Sequence, residues 1–284
     1  MKRVLIANIF GIGDVLFTTP IISCLKHEYP ECRIDYLCNA RTCRMLRNDP
    51  MINGVFVYEK DEYAELLKNS VPDFLRRIMR SMKEIKDNRY DTVFDLTLSR
   101  EFGIFFLLAG IKERIGFDYK GRGMLLTRKI SIPCFSGKHV IEHYFDLMKK
   151  AGMAPSAAPM RLFVNGEAEV FINRYLTERN VDEKKLVAVV PGGGASWGGH
   201  AGRKRWGTAQ FGFIGKKLAE EGYQVAILGD SYEKGLCEEV GSAMEGKNVL
   251  IENGLDIERY IALINKCRLL ICNDGGPLHI GVAL

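Results

Sequence analysis

Long apolar runs are absent from this chain. No stretch reaches the roughly 18–20 residues that a membrane-spanning helix needs, so nothing reads as a transmembrane segment. The opening MKRVLIANIFGIGDVLF has a basic tip and an apolar body, but Gly11, Gly13 and Asp14 interrupt that body and no small-residue cleavage site follows. It reads as a buried strand and a turn rather than a secretory leader, which predicts a cytoplasmic protein. Cysteine is sparse, 8 in 284 residues with no C-x-x-C pair, too few for a disulfide scaffold. Cys24, Cys32, Cys38 and Cys43 fall close together, yet Cys24 and Cys38 lie within apolar runs. They read as reduced core thiols rather than zinc ligands.

What is present is an ordinary globular composition, 47% hydrophobic and 26% charged, enough apolar material for a real core. Domains usually hold about 100–200 residues, so 284 residues predict two. The net charge of +5 is unevenly placed: residues 1–150 carry 25 Lys and Arg against 19 Asp and Glu, residues 151–284 carry 15 against 16. A basic first half favours an acidic partner: a phosphorylated acceptor, an anionic membrane surface or nucleic acid.

Short β-rich runs alternate with helical patterns. Arg3–Asn8, Arg33–Cys38, Gly54–Tyr58 and Asp91–Asp95 read as strands, with shorter ones at Arg114–Phe117 and Lys129–Ile132. Helical stretches are expected from the first turn to about His27, near Thr42–Arg47, over Val71–Asp87 and over His139–Ala151. A linker rich in Ala, Gly and Pro begins near Ala151. The rhythm then restarts, with strands at Leu186–Val190, Tyr223–Leu228, Asn248–Ile251 and Arg268–Cys272 and helices at Thr208–Glu221, Tyr232–Met244, Asp256–Asn265 and from Gly276. Such an order predicts two doubly wound α/β domains, 1–160 and 161–284, each with a parallel sheet and right-handed crossovers.

The first strand runs into Gly11-Ile12-Gly13-Asp14. This approaches the dinucleotide fingerprint G-x-G-x-x-G, but Leu16 replaces the third glycine. Asp14 also places a negative charge where a pyrophosphate would need the positive helix end. The loop is therefore not expected to hold a diphosphate. Asp14 is either an N-cap or a carboxylate displayed at the C-terminal edge of a parallel sheet, able to take a proton from an attacking hydroxyl.

The second half offers the opposite polarity. Strand Leu186–Val190 ends in Pro191-Gly192-Gly193-Gly194-Ala195-Ser196, and Arg203-Lys204-Arg205-Trp206 follows. Backbone amides in a glycine loop can approach a phosphate closely, and the cations stand ready beside it. Leu228-Gly229-Asp230-Ser231-Tyr232-Glu233 puts acids just past a strand, suited to ribose hydroxyls or to capping the next helix. Asn273-Asp274-Gly275-Gly276-Pro277-Leu278-His279 reads as a helix start with free amides, an anion site. One pattern misleads: His139-Val140-Ile141-Glu142-His143 matches H-x-x-E-H of zinc peptidases. No third ligand accompanies it, and a packed or capping helix is the better reading.

Taken together these motifs resemble the heptosyltransferases of glycosyltransferase family 9. The resemblance rests on Gly11–Leu16 with Thr18-Thr19-Pro20, on Arg114–Phe117 and the His139–Tyr144 helix, on Pro191-Gly192 with Lys204-Arg205-Trp206, and on Asp274 to His279. It implies a GT-B fold, two Rossmann-like domains facing each other across a cleft, and inverting transfer from an ADP-heptose donor to a lipopolysaccharide inner-core acceptor. By the same resemblance Asp14 is the catalytic base, Lys204 contacts the diphosphate, and Asp274 with Gly276 lies at the donor. The candidate donor set is Gly192, Gly193, Ser196, Lys204, Arg205, Glu233, Asp274, Gly275, Gly276, Pro277 and His279; the candidate acceptor set is Gly13, Thr18 and Arg122. No Asp-x-Asp pair occurs, so no metal and no cofactor is expected. The expected partners are an ADP-sugar and a phosphorylated lipid or oligosaccharide, not nucleic acid; Arg76, Arg77, Arg80, Lys83, Lys86 and Arg89 on or near one helix suggest peripheral contact with the inner membrane leaflet. The chain departs from the family at Gly275, where Ser or Thr is usual, and at Gly198–Gly202, which looks inserted. It also reaches Leu284 barely into its last helix, so the second domain is expected to be incomplete. Two rival readings are a non-catalytic nucleotide-sugar-binding remnant and an NAD-dependent oxidoreductase.

Overall fold

A computed structural model describes residues 1–155, 158–193, 202–203, 205–244 and 249–284. It divides into two compact units, Met1–Phe10 with Asp14–Met160, and Gly11–Gly13 with Arg161–Leu284.

The first unit is built on six strands, β1 Arg3–Ala7, β2 Arg33–Cys38, β3 Gly54–Val57, β4 Thr92–Asp95, β5 Glu113–Tyr119 and β6 Arg128–Ile132. Every pairing is parallel and the order is β3-β2-β1-β4-β5-β6. Val4 of β1 pairs with Ile34 on one side and Thr92 on the other. Val4, Leu5, Ile6 and Ala7 are wholly buried, which is why RVLIA is a continuous apolar run rather than an alternating one. Burying each large side chain contributes about 1.5–3 kcal/mol, against a span of about 1 kcal/mol for strand propensity. Burial therefore fixes this strand.

Helices cover both faces. α1 is Ile12–Leu16, α2 Thr19–Glu28, α3 Ala40–Leu46, α4 Lys60–Asn69, α5 Val71–Asp87, α6 Arg100–Leu108 and α7 Val140–Lys150. Ile21, Ile22 and Leu25 of α2 pack with Tyr144, Leu147 and Met148 of α7 on one face; Ile85 of α5 packs with Phe102 and Phe106 of α6 on the other. Cys24, Cys32, Cys38 and Cys43 are buried free thiols. The chain reverses its direction of winding between β1 and β4, so the switch point lies at their carboxyl ends, beside Asn8 and Asp95.

The first helical stretch is not continuous. α1 stops at Leu16, and α2 begins after Thr18 with a proline in its first turn. Pro20 lacks an amide hydrogen and its ring would strike the carbonyl of Leu16, so a helix cannot run through it. The hydroxyl of Thr19 donates instead to that carbonyl at 2.8 Å. His139 is the N-cap of α7: its Nδ1 accepts from the Ile141 amide at 3.3 Å and Glu142 reaches back to the His139 amide. The H-x-x-E-H pattern is thus a capping box.

The second unit holds β7 Leu186–Val190, β8 Gln224–Leu228, β9 Val249–Glu252 and β10 Leu269–Cys272, all parallel in the order β10-β7-β8-β9. α8 Gly166–Glu178, α9 Thr208–Glu220, α10 Lys234–Ala243, α11 Ile257–Lys266 and α12 Gly276–Ala283 surround the sheet. Val189, Phe211, Val225, Ile227, Cys237 and Val240 form its core. Winding reverses between β7 and β10, which puts this unit's switch point at Pro191 and Asn273. Among the described residues no helix is long and apolar enough to cross a membrane.

Candidate active site

At the first unit's switch point the β1–α1 loop is held by two asparagines. Asn8 is fully buried; its Nδ2 donates to the Asp14 carbonyl at 3.1 Å and its Oδ1 accepts from the Phe10 amide at 3.0 Å. From the end of β2, Asn39 Nδ2 donates to the carbonyls of Ile9 at 3.2 Å and Phe10 at 2.7 Å. These two side chains meet the carbonyls of Ile9, Phe10 and Asp14, each bond contributing about 0.5–1.5 kcal/mol net. Asp14 is therefore carried on a fixed backbone. Its residue is exposed and lies inside the first turn of α1, not before it. Burial pushes the hydroxyl pKa values of Tyr36 and Tyr144 up, and the Asp14 charge adds to that rise at both. The carboxylate thus acts on two neutral phenols.

Thr18 is fully buried. Its hydroxyl donates to the Val15 carbonyl at 2.7 Å and lies 2.7 Å from the Tyr36 hydroxyl, so it ties the turn to β2. Arg122 is exposed. Its guanidinium stands over the Tyr119 ring at 5.7 Å and reaches the Leu98 carbonyl at 3.5 Å. It shares a small pocket with Asp95, Leu98 and Phe117 at the carboxyl ends of β4 and β5. Asp95, absent from the sequence candidates, is buried there. Burial raises its carboxyl to a pKa of about 6, in spite of hydrogen bonds from the Thr97 hydroxyl at 2.6 Å and amide at 3.1 Å. Leu98 beside it has φ 57°, a left-handed conformation that costs a bulky residue energy and gathers at functional loops. The terminal Asp of DTVFD, at a strand end, is the sequence signal that marks it. A cavity of about 660 Å³ opens elsewhere in this unit, among α4, α5 and α6.

The second unit's switch point carries the glycine loop. Gly193 has φ 107°, a conformation that favours glycine, and a Cβ on Gly192 would sit 2.1 Å from the Glu233 carboxyl carbon and push that carboxylate aside. Glu233 Oε1 accepts from the Gly193 amide at 2.7 Å, while Arg205 Nε donates to the Gly193 carbonyl at 2.9 Å and its Nη2 lies 3.5 Å from Glu233. Glu233 and Arg205 therefore brace the loop from both sides. Asn273 completes the brace. Its Nδ2 donates to the carbonyls of Pro191 at 2.8 Å and Gly192 at 2.9 Å, and its Oδ1 accepts from the Trp206 amide at 2.9 Å. In sequence Asn273 is only the flank of the glycine motif; the pairing of β10 with β7 is what sets it beside Pro191 and Gly192. The Trp206 ring is exposed and meets Phe211 edge-on at 5.3 Å.

Gly275, Gly276 and Pro277 form the start of α12, with Asp274 exposed just before it. The His279 amide donates to the Gly275 carbonyl at 3.4 Å. Gly13, which groups with this unit, faces His279: a Cβ there would lie 2.3 Å from the ring's Cδ2. Ser196 and Lys204 lie outside the described residues.

Two parallel sheets, each with polar loops gathered at a switch point, define an α/β protein of the GT-B class. The model of glycosyltransferase family 9 (heptosyltransferase) matches residues 78–284. The chain belongs to this family and is a glycosyltransferase. Lipopolysaccharide heptosyltransferase 3 of Escherichia coli is 24% identical over 284 residues, 96% of this chain and 78% of the relative. Among solved structures, the glycosyl transferase family 9 protein from Veillonella parvula superposes with a TM-score of 0.84 at 19% identity, covering 99% of this chain and 78% of that one. The E. coli heptosyltransferase WaaC with ADP-2-deoxy-2-fluoro heptose superposes with a TM-score of 0.78 at 15% identity, covering 99% and 86%.

Proposed function

We propose that this protein transfers a heptose or related sugar from an ADP-sugar to a hydroxyl of a phosphorylated lipopolysaccharide inner-core acceptor, with inversion, at the cytoplasmic side of the inner membrane. The observation that supports it most is the contrast between the two switch points. The first displays a carboxylate, Asp14, on a loop locked by Asn8 and Asn39. The second displays a glycine loop and the start of α12, with no carboxylate between Gly275 and His279.

In the proposed reaction Asp14 accepts the proton of the attacking acceptor hydroxyl as its oxygen bonds to the anomeric carbon. The bond from that carbon to the diphosphate breaks on the opposite face, and ADP leaves with the electron pair. Lys204, Arg205, the glycine loop and the α12 amides stabilise the charge that gathers on the departing diphosphate. Asp274 and His279 contact the donor. Arg122, exposed beside Asp95 in the basic half, meets an anionic group of the acceptor. The names of the relatives, lipopolysaccharide heptosyltransferases and a structure with an ADP-heptose analogue, support the donor and acceptor classes.

A panel of ADP- and UDP-sugars offered with a lipopolysaccharide-core acceptor tests the reading. Transfer from ADP-heptose is expected, and Asp14→Asn is expected to lower kcat by about 10²–10⁴ while ADP binding is kept. Turnover by Asp14→Asn at the unsubstituted rate would remove Asp14 from the mechanism, and product formed with the retained anomer would exclude the single displacement.

A further inference from the structure

α4 is a ten-residue helix with one buried side chain. KDEYAELLKN turns only Tyr63 inward, where its hydroxyl lies 2.8 Å from that of Ser81 on α5. A helix held by a single anchor leaves space beneath it, and the cavity of about 660 Å³ is that space, bounded by α4, α5, α6 and the ends of β2 and β3. Small-molecule sites run to about 300–1,000 Å³.

Five aromatic rings line it: Phe56, Tyr58, Tyr63, Phe102 and Phe105. Tyr58 stacks on Tyr63 with centroids 4.5 Å apart, and Phe102 meets Tyr58 at 4.9 Å and 75°, so the rings make walls at a corner rather than one flat surface. Among the described residues the charged members of the lining are Glu84 of α5 and Glu101 of α6, both exposed and therefore at the mouth. The Ser99 hydroxyl donates to Glu101 and holds its carboxyl below the usual range, with Arg122 and Arg100 acting the same way from further off. Burial raises the Tyr58 hydroxyl, and the charges of Tyr63 and Glu101 add to the rise, so the Glu101 carboxylate is felt inside the cavity. Among the described residues no cation lies within ion-pair distance of Glu84 or Glu101. Arg77 stands over the Tyr63 ring at 6.0 Å, but it is outside the lining and pairs with Glu62.

This chemistry selects among occupants. An anion would meet two like charges. A neutral apolar molecule would use the rings and leave the carboxylates to water. An organic cation uses both, because the faces of aromatic rings carry negative potential and the carboxylates stand beside them. The surroundings do not account for the sign: the first 150 residues carry 25 Lys and Arg against 19 Asp and Glu, yet the lining described has acids and no base. We infer that this cavity binds a small organic ammonium ion with an apolar body, the body among Phe56, Tyr58, Tyr63, Phe102 and Phe105 and the cationic head at Glu84 and Glu101. The site uses no residue assigned above to sugar transfer, and its test needs neither donor nor acceptor, so it stands or falls apart from the proposed function.

The full chain is titrated calorimetrically with three probes of similar shape: 2-phenylethylammonium, 2-phenylethanol and phenylacetate. The ammonium is expected to bind at least about tenfold more tightly than the alcohol. Phenylacetate is expected to bind more weakly than the alcohol, and the preference for the ammonium to shrink as salt rises. Glu84→Gln with Glu101→Gln changes two exposed residues. It is expected to lower affinity for the ammonium about tenfold and to leave that for 2-phenylethanol within about twofold. Equal affinity for the ammonium and the alcohol, no measurable binding of the ammonium, or unchanged ammonium binding by the double variant overturns the inference. Location is read separately from the methyl resonances of Ile78 and Ile85, which line the cavity. Shifts there on adding the ammonium support the site, and shifts confined to other isoleucines overturn it.

Discussion

Asn273 is one side chain that holds three loop segments, and its removal gives a sharp test of how the glycine loop is kept in shape. Substitution Asn273→Ala deletes the two bonds to the carbonyls of Pro191 and Gly192 and the bond from the Trp206 amide. Each is worth about 0.5–1.5 kcal/mol net. The residue is only half buried, so water replaces part of the loss and the lower end of the range applies, about 1–2 kcal/mol for the three. If the loop's shape is what the donor binds, that energy appears in affinity, and about 1.4 kcal/mol is a factor of ten. ADP titrated calorimetrically into Asn273→Ala is expected to bind about tenfold more weakly than to the unsubstituted protein. Asn273→Asp is the sharper variant. It keeps shape and the acceptor for Trp206, loses both donors, and sets a negative charge against two carbonyl oxygens, so it should bind ADP more weakly still. ADP affinity within twofold of the unsubstituted protein for both variants, in samples with normal far-UV spectra, would refute the argument that this asparagine shapes the donor loop.

Two further predictions concern single carboxylates. The Asp95 pKa is raised to about 6 by burial, above an unfolded value of about 3.9. The native state then holds the extra proton between these values, so the stabilisation is complete below about pH 4 and is lost as pH rises through about 6. Two units correspond to about 3 kcal/mol at most; Asp95→Asn should abolish that part of the fall in thermal midpoint between pH 4 and 7, and an unchanged pH profile would contradict it. At the donor loop, Gly192→Ala forces a Cβ onto the Glu233 carboxyl and should weaken ADP binding about tenfold or more. Adding Glu233→Ala should restore part of it by vacating that space; failure of any rescue would show that Gly192 is needed for another reason.

The parts of this fold that are legible in the sequence are those decided by local burial. LVAVV buries every residue and RVLIA, RIDYLC and QVAIL bury all but their first, and each is a strand at or within a residue or two of its expected place. Three helices escape such a reading for different reasons. α6 has apolar residues on all sides and so no period to detect. α4 has a single buried side chain, Tyr63. α8 follows directly on the linker, where Asn165 caps it with few other signals. At the candidate site, residue types were readable but their partners were not. Glu233 stands among the donor candidates from its place after a strand; its carboxylate lies on the Gly193 amide, a contact across 40 residues that no local pattern encodes. Asn8, Asn39 and Asn273 are silent in sequence because each ties a loop whose shape no residue pattern shows, and Asp95 has only its place at a strand end to mark it.

That three of those four are asparagines has a physical cause. A loop at a sheet edge leaves both carbonyls and amides unpaired, and the side chain that ties it must donate and accept at once. Aspartate cannot donate, and lysine or arginine cannot accept. Asparagine does both, as Asn8 does between Asp14 and Phe10 and Asn273 does between Pro191, Gly192 and Trp206. It also adds no net charge. A charged tie would impose its own potential on the edge, which at a few ångströms in a partly buried site amounts to several kcal/mol. In the first unit neutral ties leave the sign of the edge to the solvent-facing carboxylate of Asp14; in the second the Asn273 amide works beside the Glu233–Arg205 pair, whose opposite charges offset each other. One α/β architecture can thus be built twice with an asparagine tying each loop, the two edges differing in what the loop displays and in the charged pair that joins the second tie.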